Sequence, residues 1–257
     1  MRKSMSHVIS HGIKIHYQIE GTGPPLILLH GMFDSIESWY DNGYVDKLRT
    51  EYKLILIDQR GHGQSEKPHD SDEYSYMTFV EDVIAVLDDI DEDRAHVFGH
   101  SMGGWFAYGL AQYYSNRIQS IIISDGVPGR EDPGFISSTL ESFDEWVSGL
   151  KDVPASGKER LLKNDLKALT AISDWVDKDV QVVIELIDGA IENINIPILL
   201  LVSDLPEDSD EIRLLKKSAD LIPDTTYIKF NELNHFTLHI RSDIVLPHIV
   251  VFLAAFT

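Results

Sequence analysis

At 257 residues, 43% of them hydrophobic, the chain is long enough to bury a sizeable core as one domain with an insertion. Its 42 acidic and 22 basic residues give a formal charge of -20, which argues against a nucleic-acid backbone or an anionic membrane as partner and leaves a small molecule. Cysteine is absent, which excludes disulfides, thiol chemistry and sulfur-ligated metals, and the acidic run Asp88 to Asp93 reads as a solvated turn. With no apolar leader core behind the first basic residues and no run of 18 apolar residues, a soluble cytoplasmic protein is expected.

Alternation in Lys14 to Ile19 predicts an edge hairpin strand, closed by Gly21-Thr22-Gly23-Pro24-Pro25. The runs Leu26 to Leu29 and Lys53 to Ile57 are apolar without alternation, as strands buried on both faces must be. A helix over Thr78 to Ile90 presents Phe79, Val83, Val86, Leu87 and Ile90 on one side. Further buried strands follow at His96 to Phe98, Ser120 to Ser124 and Ile198 to Val202, then Thr226 to Phe230, with helices at Ile212 to Leu221 and Ile244 to Phe256. Strands alternating with helices imply a parallel sheet covered on both sides, with function at the carboxyl ends of its strands.

Between residues 127 and 195 the strand signals stop. Three helical stripes replace them: Leu140 to Leu150, Leu162 to Ile172 and Val180 to Ile194. Pro133-Gly134 and Pro154-Ala155-Ser156-Gly157 are the expected breaks. The segment is long enough to form a lid over a core built from residues 1–126 and 196–257.

The chemistry-bearing motif is Gly99-His100-Ser101-Met102-Gly103, set between a strand and a helix. A nucleophile on so tight a turn needs flanking glycines for the two elements to approach, and the helix N-terminus favours developing negative charge. Ser101 is therefore the candidate nucleophile.

Four further pieces stand in order around it: Leu28-Leu29-His30-Gly31, Asp58-Gln59-Arg60-Gly61-His62-Gly63-Gln64-Ser65, Ile196-Pro197-Ile198-Leu199-Leu200-Leu201 and Asn234-His235-Phe236. Together they make the chain resemble the α/β-hydrolase family. The resemblance implies an α/β fold with an eight-stranded, mostly parallel sheet, helices on both faces and a helical cap after the sixth strand. It implies His235 as general base, and the N–H groups of Met32 and Met102 as the oxyanion hole. His30, His62, Asp58 and Arg60 are read as structural.

The third triad member departs from the family's pattern, since Pro206 stands where the carboxylate is expected. Spacing back from His235 points to Asp208, the alternative position after the sixth strand points to Asp125, and Asp204, Glu207 or no acid remain open. A serine nucleophile argues against the family's dehalogenases and epoxide hydrolases, which carry aspartate there. A hydrolase of small esters or lactones, carboxylesterase-like, is the first expectation. It needs no cofactor and no metal. Carbon-carbon bond hydrolysis, perhydrolysis and acyl transfer are alternatives, and a small-molecule receptor without catalysis is the alternative of another class. Phe33, Trp105, Trp146 and Trp175 are the candidate pocket residues.

Overall fold

The computed structural model describes residues 6–126 and 135–256, so the expected Pro133-Gly134 break lies outside the described residues. The chain enters through an antiparallel hairpin, β1 (Ser6–Ser10) and β2 (Ile13–Glu20). Its two-residue turn, His11-Gly12, has φ of 50° and 80°, the conformation that matches the twist of a hairpin. The sequence reading recognised β2 but took it for an edge strand; β2 pairs with β4 as well as β1, and the edge is β1, which was missed because its turn carries His11 where asparagine or aspartate is commoner.

β3 (Pro25–Leu29) leads to two short helices, α1 (Glu37–Asp41) and α2 (Tyr44–Leu48), and then to β4 (Lys53–Ile57). α3 (Tyr76–Asp89) starts at a capping box in which Ser75 and Thr78 satisfy each other's backbone N–H groups. β5 (Ala95–His100), α4 (Met102–Tyr113) and β6 (Ile118–Ser124) follow. The sheet has eight strands in the order β1-β2-β4-β3-β5-β6-β7-β8, with β7 (Ile198–Val202) and β8 (Thr225–Lys229) closing the far edge. All pairings from β4 through β3 to β8 are parallel.

The unalternating strands are explained by two cores. In β3, Leu26 and Leu28 face one layer while Ile27 and Leu29 face the other; in β4, Leu54 and Leu56 are divided from Ile55 and Ile57 in the same way. One layer is completed by α3 and α4, the other by α1, α2 and the last helix, α11 (Ser242–Ala254).

All the described elements between β6 and β7 are helical: α5 (Phe135–Glu141), α6 (Phe143–Gly149), α7 (Ala155–Leu161), α8 (Leu166–Ala190) and a closing turn of 3-10 helix. Two expectations are corrected here. The break expected over Pro154-Ala155-Ser156-Gly157 ends at Pro154, which caps α7, so the other three residues are already helical. The stripes around Leu166 to Ile172 and Val180 to Ile187 belong to one helix of 25 residues, because Trp175 and Val176 carry the buried face across the gap between them. After β7, α9 (Asp210–Leu221) and β8 lead to α10 (His235–Ile240).

Beneath the sheet's loops, Arg60 is 1% exposed and grips Asp82 through two bonds of 2.7 Å, donating a third to the Glu73 carbonyl. Burial pushes the Asp82 carboxyl up while Arg60 opposes it. Removing one partner of such a pair leaves a buried uncompensated charge, so Arg60→Met is expected to cost about 3–5 kcal/mol. Urea denaturation measures it, and an unchanged midpoint would contradict the structural role.

Candidate active site

The register of the parallel strands builds the site. Pairing of His100 with Ser124 brings residues 101 and 125 out side by side at the carboxyl ends of β5 and β6. Ser101 stands at φ 53°, ψ -124°, and its own N–H is held by the Ser124 carbonyl at 2.8 Å. The flanking glycines are required by contact: a Cβ on Gly99 would lie 2.3 Å from the Gly103 carbonyl oxygen, and one on Gly103 the same distance from that of Leu29. On the β3 side, a Cβ on Gly31 would sit 3.1 Å from that of Ser101, so the loop carrying Met32 runs hard against the nucleophile position.

His235 is the first residue of α10. Asn234 caps that helix, its side chain accepting from the N–H groups of Phe236 and Thr237, which sets the direction in which His235 leaves the backbone. Its Nε2 lies 3.0 Å from Ser101 Oγ. On the other edge of the ring, Nδ1 lies 3.6 Å from Asp125 Oδ2. Asp125 is 2% exposed, has φ 44°, and is fixed by accepting the Ser203 N–H on Oδ1 at 2.8 Å. Its Oδ2 makes no hydrogen bond and is left to face the imidazole.

Asp208 is elsewhere. It lies exposed in the turn between β7 and α9, and its neighbour Glu207 is held at the surface by Lys216 at 2.6 Å and by Lys229. Those ion pairs hold the Glu207 carboxyl down at about 2. Asp204 is exposed as well, 4.0 Å from Lys229. The structure therefore brings Asp125 to His235, and not Asp208, Asp204 or Glu207.

A cavity of about 240 Å³ opens over Ser101 and His235. Met32, Phe33, Met102, Trp105 and Trp146 all line it, and α5 and α7 contribute Ile136, Arg160 and Leu161. Trp175 does not. It is 2% exposed and packs on Phe79 at 5.5 Å, because its face of α8 is the one turned to α3 and α4. Met102 is the first residue of α4, where backbone N–H groups have no intrahelical partner. The Met32 loop is tied down by His62, whose ring meets the Met32 and Arg60 carbonyls.

Sequence reasoning missed the polar lining. Arg160 bonds Asp34 at 2.6 Å and also meets Asp41, joining α7 to the loops after β3. It was hidden by the reading of residues 154–157 as a break. His239 follows His235 by four positions on α10 and so shares its face; helical spacing from His235 was the available signal.

Several histidines here are held neutral. Burial keeps His62, His96 and His239 down at about 4, and pushes His30 and His100 down as well. Unfolded, each would titrate near about 6.5. Between about 6.5 and about 4 the unfolded chain takes up protons that the folded chain refuses, so stability is full above that window and falls as the pH drops through it. The loss is about 1.4 kcal/mol per pH unit for each of His62, His96 and His239. Calorimetry at pH 7.5, 6 and 5 should show a steadily falling Tm, and a flat Tm would refute the burial argument.

Comparison with known proteins agrees with this architecture. Residues 24–181 match the profile described as alpha/beta hydrolase fold, and the chain belongs to that family. A soluble epoxide hydrolase of Corynebacterium sp. (strain C12) is 34% identical over 134 residues, 49% of this chain and 44% of that protein. The chain spans less than two thirds of the length of the curated relatives it matches. Among solved structures, the enol-lactonase from Burkholderia xenovorans LB400 superposes with a TM-score of 0.81 at 19% identity, covering 97% of this chain and all of that one. Est816, described as an N-acyl homoserine lactone degrading enzyme, gives 0.74 at 26% identity, covering 96% of this chain and 100% of its own. Among the described residues no helix is long and apolar enough to cross a membrane.

Proposed function

We propose that the chain is a serine hydrolase that cleaves a small carboxylic ester or lactone through an acyl-enzyme. The observation that carries this is the 3.0 Å contact between His235 Nε2 and Ser101 Oγ in the wall of a largely apolar cavity. A serine hydroxyl is too weak an acid to attack unaided, and a neutral imidazole within hydrogen-bond reach removes its proton as the bond to the acyl carbon forms. The resulting imidazolium is stabilised by Asp125, and it returns the proton to the departing alkoxide. Water then repeats the sequence on the acyl-enzyme, releasing the acid and restoring Ser101.

Met32 and Met102 supply the oxyanion hole in this reading, through backbone N–H groups whose side chains double as apolar walls. Helices α5 to α7 act as the lid that keeps bulk water from the acyl-enzyme. The net charge of -20 helps to expel the carboxylate product.

The Corynebacterium relative is named as an epoxide hydrolase, but a hydroxyl at position 101 is suited to attack on an acyl carbon. The lactone-degrading neighbour at 26% identity lends weight to cyclic esters as substrates. The receptor alternative drew its force from an acid missing at position 206, and a carboxylate facing His235 from position 125 weakens it. Incubation with a fluorophosphonate should label Ser101, and short-chain p-nitrophenyl esters should release p-nitrophenol. Tight binding of an ester with neither response would instead support the receptor.

A further inference from the structure

Ester cleavage accounts for Ser101, His235 and Asp125, yet the same cavity is lined by five more polar side chains, Asp34, Asn42, His100, Arg160 and His239, of which His100 already meets the Ser124 hydroxyl at 3.3 Å. Arg160 is occupied. With Asp34 and Asp41 both against its guanidinium, one positive charge meets two negative ones, and that side of the cavity is net negative. His239 and Asn42 are different. His239 is 4% exposed and locked among rings, stacked on His100 at 4.4 Å and edge-on to Trp39 at 4.7 Å, so it cannot turn away. Neither of its ring nitrogens, nor the side-chain nitrogen of Asn42, has a hydrogen-bond partner among the described residues. The Ser242 hydroxyl bonds the Asn42 carbonyl, which ties Asn42 to the first residue of α11, directly after the helix that carries His239.

We propose that His239 and Asn42 form a subsite, beside the reacting ester, for an uncharged hydrogen-bonding substituent of the substrate such as a hydroxyl or an amide. The inference rests on the ester-hydrolase reading for the reacting group. Burying polar atoms without partners is costly, and the cost is recovered when a ligand completes them. A neutral imidazole presents one donor and one acceptor, and the Asn42 nitrogen presents donors only, so a group that both accepts and donates fits. A carboxylate does not: burial keeps His239 neutral, and the Asp34 and Asp41 carboxylates beside Arg160 repel it.

The test uses Ser101→Ala, which binds esters without turning them over, and calorimetric titration with p-nitrophenyl butyrate, p-nitrophenyl 3-hydroxybutyrate and the mono-p-nitrophenyl ester of succinic acid. The hydroxy ester is expected to bind about tenfold tighter than the butyrate, and the succinate weakest. That advantage should vanish when His239→Phe is added, a change that keeps the ring stack and removes both nitrogens. Asn42→Leu should reduce it independently, should the first variant not fold. Equal binding of the hydroxy ester and the butyrate would mean that water completes these groups and would overturn the subsite, as would preference for the succinate or binding of none of the three. Failure of the wild-type chain to release p-nitrophenol from any of them would count against the hydrolase reading alone, since the binding ratios are measured without turnover.

Discussion

Asp125→Asn is expected to lower kcat for ester hydrolysis by about four orders of magnitude, whereas Asp208→Asn should leave it within a factor of about two, as exposed substitutions do. Asparagine at 125 can still accept the Ser203 N–H through its oxygen, so the turn after β6 keeps its shape. Its amide nitrogen then faces His235 Nδ1, 3.6 Å away in the present structure, and can only donate. Nδ1 must become the acceptor, the proton moves to Nε2, and the nitrogen facing Ser101 loses its capacity to act as a base. The 3.6 Å separation is longer than a hydrogen bond, in keeping with catalytic contacts that tighten when the imidazolium forms. Steady-state kinetics on the two variants decides between the carboxylates. A large loss in Asp208→Asn with little in Asp125→Asn would reverse the assignment.

The sheet was legible because its central strands are buried on both faces, and the unbroken runs at Leu26 to Leu29 and Ile198 to Val202 have no other economical reading. The elbow was legible because glycine is demanded by backbone contact at positions 99 and 103, a constraint visible as residue identity. The acid was not. Loop spacing says how far a carboxylate can reach; it does not say that β5 and β6 pair so as to put position 125 next to position 101 while Lys216 and Lys229 hold the Glu207 turn at the surface. Helical periodicity likewise found the two apolar stripes of α8 but could not tell which layer they meet, and so Trp175, between them, was assigned to the pocket instead of to Phe79. The polar corner joins Asn42, at the end of α1, to His239 on α10; spacing from His235 could flag His239, but nothing local to Asn42 says that the two meet at one cavity.

Ser101→Ala should be the most damaging single change, lowering kcat by about a million-fold and abolishing fluorophosphonate labelling, with Tm unchanged. Alanine keeps the Cβ, so the strain of φ 53° is carried by both residues alike and the elbow has no new reason to relax. Residual activity then reports what the cavity and the oxyanion hole achieve without a nucleophile. The informative comparison is with the double variant. If Ser101, His235 and Asp125 act as one unit, adding Asp125→Asn to Ser101→Ala costs nothing further, because the acid serves only to prepare a base that no longer has a proton to take. A further loss of a hundredfold would mean that Asp125 contributes to turnover by a route other than His235, and activity within tenfold of wild type in Ser101→Ala would place the nucleophile elsewhere in the cavity.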